Sequence, residues 1–283
     1  MTMMPSQIDP EVLADMISDY VEDALTILPY VTVDTTLQGI PGTTITVPRF
    51  VWGNGEVEIV PEGADIPIRT LNTDSAAYTV RKVGEGYELT DEVVLSAYGN
   101  PMGQVARRLA RRIIEATQKS ALESFYEATT FFEAADIISY NTVVLAIDLF
   151  QEETNLPKAM FIHPNQVTQL RLDENFISAD KYDNQVIMRG EIGMIANTRI
   201  VSSRLVKIKD GFFMNPIVQL RVQDETDVDE AAVTVYLKRD TQVETQRFSR
   251  RRTTEITADK HYTSALTNDD RVVIHKARQT PMV

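Results

Sequence analysis

The chain has 283 residues, of which 43% are hydrophobic and 24% charged, with a formal net charge of −13 and no cysteine. The lack of cysteine excludes disulfides, thiolate metal sites and a cysteine nucleophile. The acidic balance argues against tight nucleic-acid binding, which is driven by counterion release from phosphates. The length suits one large domain or two modest ones. The opening, MTMMPSQIDPEVLADM, has neither the basic nor the apolar region of a signal peptide. No apolar run approaches the roughly 18 residues of a membrane span, so no membrane partner is expected.

Charge is spread unevenly. Residues 1–80 hold twelve acidic residues against two basic ones. The basic residues gather later, at Arg107, Arg108, Arg111 and Arg112, and at Arg247 and Arg250 to Arg252. The two regions either complement each other between copies or form ordinary solvated faces.

In chain order, residues 8–28 read as an amphipathic helix. Asp9 caps it, Pro10 suits the first turn, and Val12, Met16, Ile17, Tyr20, Ala24 and Leu28 recur at helical spacing. Pro29 ends it. Residues 30–42 form a connector with Gly39, Pro41 and Gly42. From 43 to 95 the chain alternates as a ribbon. Thr44, Thr46, Arg49, Glu56 and Glu58 interleave with Ile45, Val47, Phe50, Val57 and Ile59. Gly53-Asn54-Gly55 and Pro61-Glu62-Gly63 supply its turns. A two-stranded ribbon is marginally stable by itself, so this one is expected to lie on a neighbouring subunit. Trp52, the only tryptophan, either covers a small local core or anchors an interface.

Residues 100–128 form the longest expected helix, with Asn100 as cap and Pro101 at the first position. Met102, Ala106, Leu109, Ala110, Ile113, Thr117, Ala121 and Phe125 make its apolar stripe, and Glu115–Lys119 is a favourable i,i+4 pair. Arg107 has no acidic residue three or four positions away, so its charge is expected to serve a contact beyond the helix. Residues 140–280 then alternate: helices at 141–153 and 164–172, and strands at 158–162, 198–203, 211–214, 217–222, 231–237, 241–248, 253–258 and 271–275. The pattern is mixed α+β with the ribbon as an outlier.

Catalytic signatures are missing. The sequence holds no GxxxxGK[ST], HExxH, GxSxG or EF-hand spacing. Gly84-Glu85-Gly86 lies in an extended run and is weak as a nucleotide loop. His163, His261 and His275 are far apart in sequence, which suits packing or solvent exposure better than metal ligation. Carboxylates are abundant, but no spacing selects a catalytic pair. No cofactor, metal or catalytic residue is expected.

Four segments in order carry a resemblance. They are PEGADIPIRT (61–70) leading to YTVRKVGEGYELTDEVV (78–94), KAMFIHPNQVTQLR (158–171), GEIGMIANTRIVSS (190–203) and HYTSALTNDDRVVIHKA (261–277). The chain resembles the major capsid proteins of tailed bacteriophages, which adopt the Hong Kong ninety-seven or Johnson fold. It looks nearest to the branch typified by the coat protein of phage N-four. The resemblance covers about 90% of the chain. It implies an N-terminal arm at 1–42 and an extended loop at 43–90. A peripheral domain would take 91–135 and 241–262, including a spine helix at 100–128. An axial domain would take 136–240 and 263–283. It further implies a structural protein, not an enzyme, assembling in the host cytoplasm into hexamers and pentamers of an icosahedral shell around double-stranded DNA. The short arm points to a separate scaffolding protein, with a portal protein as another partner and only weak, non-specific contact with DNA. The expected subunit-interface residues are Trp52, Glu62, Asp65, Ile66, Arg69, Arg107, Arg250, Arg251 and Arg252. The competing readings are an encapsulin-like compartment of the same fold and a carboxylate-dependent hydrolase.

Overall fold

Two stretches of sequence dominate the architecture. One is an alternating run from 233 to 266, broken only around Ser249–Arg252. The other is KAMFI at 158–162, too apolar for a surface strand. A computed structural model describes residues 26–51, 72–96, 101–152, 155–173, 176, 193–220 and 231–281.

After a 3-10 turn at Leu28–Tyr30 comes β1 (Thr32–Asp34). Strands β2 (Thr44–Val51) and β3 (Asn72–Thr79) pair antiparallel as a separate ribbon, from Thr44 opposite Thr79 to Val51 opposite Asn72. β4 (Arg81–Thr90) leads through the short α1 (Asp91–Ser96) to the spine, α2 (Pro101–Phe125). The body follows: β5 (Phe131–Glu133), α3 (Tyr140–Asp148), β6 (Lys158–Ile162), α4 (Pro164–Arg171), β7 (Met194–Ile195), β8 (Thr198–Ser202), β9 (Ile208–Lys209) and β10 (Phe212–Gln219). The chain ends with the long hairpin β11 (Val233–Phe248) and β12 (Thr253–Leu266), then β13 (Val272–Arg278).

The strands make two large sheets. One is four-stranded, in the order β1-β11-β12-β4. The other has seven strands, in the order β5-β13-β10-β6-β8-β7 with β9 on β10. KAMFI is buried along its whole length because both of its faces are covered. Ala159 and Phe161 join a core with Ala121, Leu122 and Phe125 of the spine and Val233, Val235 and Leu237 of the hairpin base. Met160 and Ile162 face the opposite way, into a core with Val143 and Ala146 of α3 and Leu170 of α4. Burying each such side chain contributes about 1.5–3 kcal/mol. The two helices are well capped. Ser139 and Thr142 form a capping box, and His163 Nδ1 accepts from the Asn165 amide at 3.2 Å.

The first half of the spine has a different partner. Ala106, Leu109, Ala110 and Ile113 pack with Ile256 and Ala258 of β12, flanked by Tyr87, Leu89 and Val243. The apolar stripe expected from sequence is thus the buried stripe, with Met102 at its edge.

Several expectations are corrected by the structure. The runs 231–237 and 241–248 are one strand with register shifts between Leu237 and Gln242. The runs 211–214 and 217–222 are likewise one strand, and 253–258 continues to Leu266. Pro216 is accommodated inside β10 opposite Ile274. Glu115 pairs with Arg112 at 3.5 Å, not with Lys119. The ribbon character expected through residue 95 stops at Thr79, because β4 leaves the ribbon and pairs with β12 from Tyr262–Arg81 to Thr253–Thr90. The arm helix up to residue 25 and the cap Asn100 lie outside the described residues.

Candidate subunit interface

The β11–β12 hairpin ends in the turn Phe248–Thr253. The Arg251 amide donates to the Phe248 carbonyl at 3.2 Å, and Arg252 takes a left-handed backbone, φ 54. Only a few per cent of non-glycine residues do so. Arg250, Arg251 and Arg252 are all exposed at this tip. Sequence reasoning put them in a turn between two strands, and they are there.

The tip is tied to α1. The Asp91 amide donates to the Arg252 carbonyl at 2.9 Å. Arg247 grips the Asp91 carboxylate with both guanidinium nitrogens, Nη1 to Oδ1 at 2.5 Å and Nη2 to Oδ2 at 2.7 Å, and Nη1 also reaches Thr254 Oγ1 at 3.1 Å. This is the two-pronged geometry that suits arginine to carboxylates. The hydrogen bond from Arg247 holds the Asp91 carboxyl below the usual aspartate range, with the charge of Arg252 adding to it. α1 then presents Val93, Val94 and Leu95 outward, Leu95 with 83% of its surface exposed.

Sequence reasoning missed this fork and this apolar ledge. Asp91 and Arg247 are 156 positions apart, so spacing could not join them. The acidic start of TDEVVLS was the visible clue, since a carboxylate favours a helix N-terminus.

The other expected interface residues divide in two. Arg107 lies on the exposed face of the spine, beside Arg108 and Arg111. Arg108 Nε donates to Tyr87 Oη at 2.8 Å, and Arg112 lies 3.7 Å from Glu85, so part of the basic stripe serves the contact between spine and sheet. Trp52, Glu62, Asp65, Ile66 and Arg69 lie outside the described residues.

The histidines are structural. His163 caps α4 and stacks on Phe213, His261 lies 3.3 Å from Asp259, and His275 is fully buried beside Asn215. Among the described residues no group of three or more histidines and acidic residues could hold a metal ion, and no helix is long and apolar enough to cross a membrane.

Likenesses to known proteins bear on this geometry. The fold matches the capsid of cyanophage Pam1 with a TM-score of 0.67, at 12% identity over 91% of this chain and 93% of that one. It also matches a virus-like particle from Pyrococcus furiosus, with a TM-score of 0.62 at 10% identity over 94% and 98%. At such identities the likeness establishes the α+β capsid fold alone, and the fold does not choose between the two kinds of particle. Sequence does choose. The chain is 32% identical over 274 residues to the major capsid protein of Staphylococcus phage phiMR11, covering 96% of this chain and 94% of that protein. The phage capsid protein family model matches residues 73–275. The chain therefore belongs to the phage capsid protein family, and its role is structural.

Proposed function

We propose that copies of this chain assemble, as hexamers and pentamers, into the icosahedral shell that encloses the double-stranded DNA of a tailed bacteriophage. The observation that carries this is the 32% identity to a major capsid protein along nearly the whole of both chains. Assembly takes place in the host cytoplasm, with a scaffolding protein and a portal protein as partners. DNA contact is weak and non-specific in this reading, and the net charge of −13 supports it by disfavouring tight binding.

In this reading residues 1–42 are the arm and 43–90 the extended loop. The peripheral domain is 91–135 with 241–262, and the axial domain is 136–240 with 263–283. Strand β4 belongs to the loop by sequence order, while its hydrogen bonds to β12 give the loop a firm root on its own subunit. Contacts between copies are assigned to Trp52, Glu62, Asp65, Ile66 and Arg69 of the loop, Arg107 of the spine and Arg250–Arg252 of the hairpin tip. Charged groups at such contacts set register and partner choice more than raw affinity.

The test is negative-stain imaging of the chain expressed with the scaffolding gene from its own gene neighbourhood. Closed shells of uniform size are expected. Deleting residues 54–66 is expected to leave a soluble, cooperatively melting subunit that forms no shell. If the full chain stays unassembled with its scaffold present, the shell role is wrong. If the deleted chain still makes regular shells, the role assigned to the loop is wrong.

A further inference from the structure

The face of the β4–β12–β11 sheet that points away from the spine has an unusual composition. Strand alternation puts Val83, Glu85, Tyr87 and Leu89 toward the spine and Gly84, Gly86 and Glu88 on the other side. Register places Glu88 directly opposite Glu255, Gly86 opposite Thr257 and Gly84 opposite Asp259. On the next strand Gln246 lies opposite Glu255 and Glu244 opposite Thr257. The result is a three-strand face with carboxylates at Glu88, Glu255 and Glu244 and bare backbone at its edge. A 240 Å³ depression opens on the β11–β12 part of the hairpin, lined by Glu244, Thr245, Gln246, Glu255 and Thr257.

Among the described residues these charges are uncompensated. Toward the sheet's base, Asp259 is shared by Lys82, Arg239 and His261. Toward the tip, Glu88, Glu244 and Glu255 form no ion pair among the described residues. Like charges directly opposite on neighbouring strands oppose pairing. Local conflicts of this sort mark surfaces whose partner lies elsewhere.

The glycines deepen the face. A Cβ on Gly86 would sit 2.8 Å from Thr257 Cγ2, and one on Gly84 would sit 3.0 Å from Asp259 Cβ. Any side chain there would crowd β12 and fill the approach to the carboxylates.

The complement is on the same chain. Arg247 is committed to Asp91, and Arg252 is held beside Asp91 by its carbonyl. Arg250 and Arg251 are exposed and make no ion pair among the described residues. Three positions of strand, about 10 Å, separate the turn from Glu255, and no ion pair among the described residues bridges them.

We propose that the arginine tip of one copy, through Arg250 and Arg251, docks on the Glu88–Glu255–Glu244 face of a second copy. The occupant is a second copy because tip and face are complementary in charge and neither has an ion-pair partner among the described residues. Such a tip-to-face contact is heterologous, the kind that forms a ring when its rotation closes. This deepens the shell reading and rests on it.

The test reverses each side. One variant carries Arg250→Glu with Arg251→Glu, a second carries Glu88→Lys with Glu255→Lys, and a third carries all four. Shell yield is read by sedimentation and negative stain in the presence of scaffold, and subunit folding by thermal melting. Each reversal alone is expected to lower shell yield by about tenfold or more, the equivalent of one lost charge pair. The four-fold variant is expected to regain shells. A neutral variant, Glu88→Gln with Glu255→Gln, covers the case in which the lysines disturb the sheet, and it too is expected to assemble poorly. Parental shell yield in both reversed variants overturns the proposal, as does a folded four-fold variant that stays unassembled. Failure of the parent chain itself to form shells would instead sink the shell reading.

Discussion

The seven-stranded body and the outer half of the long hairpin solve the same problem in opposite ways. In the body, β6 is covered on both faces, and even its charged residue is enclosed. Lys158 is 1% exposed, lies 2.6 Å from Glu152 and donates to the Leu156 carbonyl at 3.0 Å, while Gln219 completes the set from β10. In the hairpin, one face lies on the spine and the other carries carboxylates that form no ion pair among the described residues. The body settles its charges internally because it has the bulk to do so. The hairpin is thin, so its second face is open to the contact proposed between copies. Stability should therefore reside in the body, and assembly in the hairpin.

The sharpest way to break this contrast is at Glu152. Glu152→Ala leaves the Lys158 ammonium buried without its carboxylate, and removing one partner of a buried pair costs about 3–5 kcal/mol. Urea denaturation of the unassembled subunit should show that loss. A change under 1 kcal/mol would mean that the pair is relaxed by water and the body is looser than its packing indicates.

A second probe uses acid. Burial holds the His275 pKa down from 6.5 to about 4, with Asn215 at 3.4 Å and Phe132 stacked against the ring. A histidine lowered in the folded state binds its proton more readily when unfolded, so stability falls as pH drops through 6.5 toward 4. At a pH near 4.5 the loss should be about 2–3 kcal/mol relative to neutral pH. His275→Gln should remove most of that slope between neutral pH and about 4.5. An unchanged slope in the variant would place the acid sensitivity elsewhere. Asp91, whose pKa is lowered, acts in a separate window. Its contribution is present above the ordinary aspartate range and is lost only as pH falls below it.

The smallest effect on the subunit should come from the hairpin. Replacing Arg250, Arg251 and Arg252 together by alanine should leave subunit melting nearly unchanged, since exposed charges count for little and Arg252 only adds to the Asp91–Arg247 pair. The same protein should assemble poorly, or give shells that dissociate in moderate salt. A triple variant that both melts normally and assembles normally would make the tip an ordinary solvated turn. Arg247→Ala is the intermediate case. It should free α1, read as faster amide exchange across Asp91–Ser96, with little change in global melting.

Local patterns in the sequence were enough to locate the spine helix and its buried stripe, the strand KAMFI with its following helix, and the turn that carries the three arginines. Each is written in residues close to one another: a 3.6-residue period, an apolar run before a helix-starting proline, a cluster of small and charged residues between alternating strands. The family resemblance was legible for a related reason, because it rested on such local pieces in a fixed order. Sequence could not tell that two pairs of predicted strands were single strands, because a register shift or an internal proline looks like a stop. Nor could it tell that β4 leaves the ribbon. Alternation marks a strand without naming its partner, and β4 finds its partner on β12, more than 160 positions later. The Asp91–Arg247 fork and the Glu88–Glu255 face have the same origin. They exist only once the chain has brought distant strands side by side, and only tertiary structure shows which charges are then paired and which are left over.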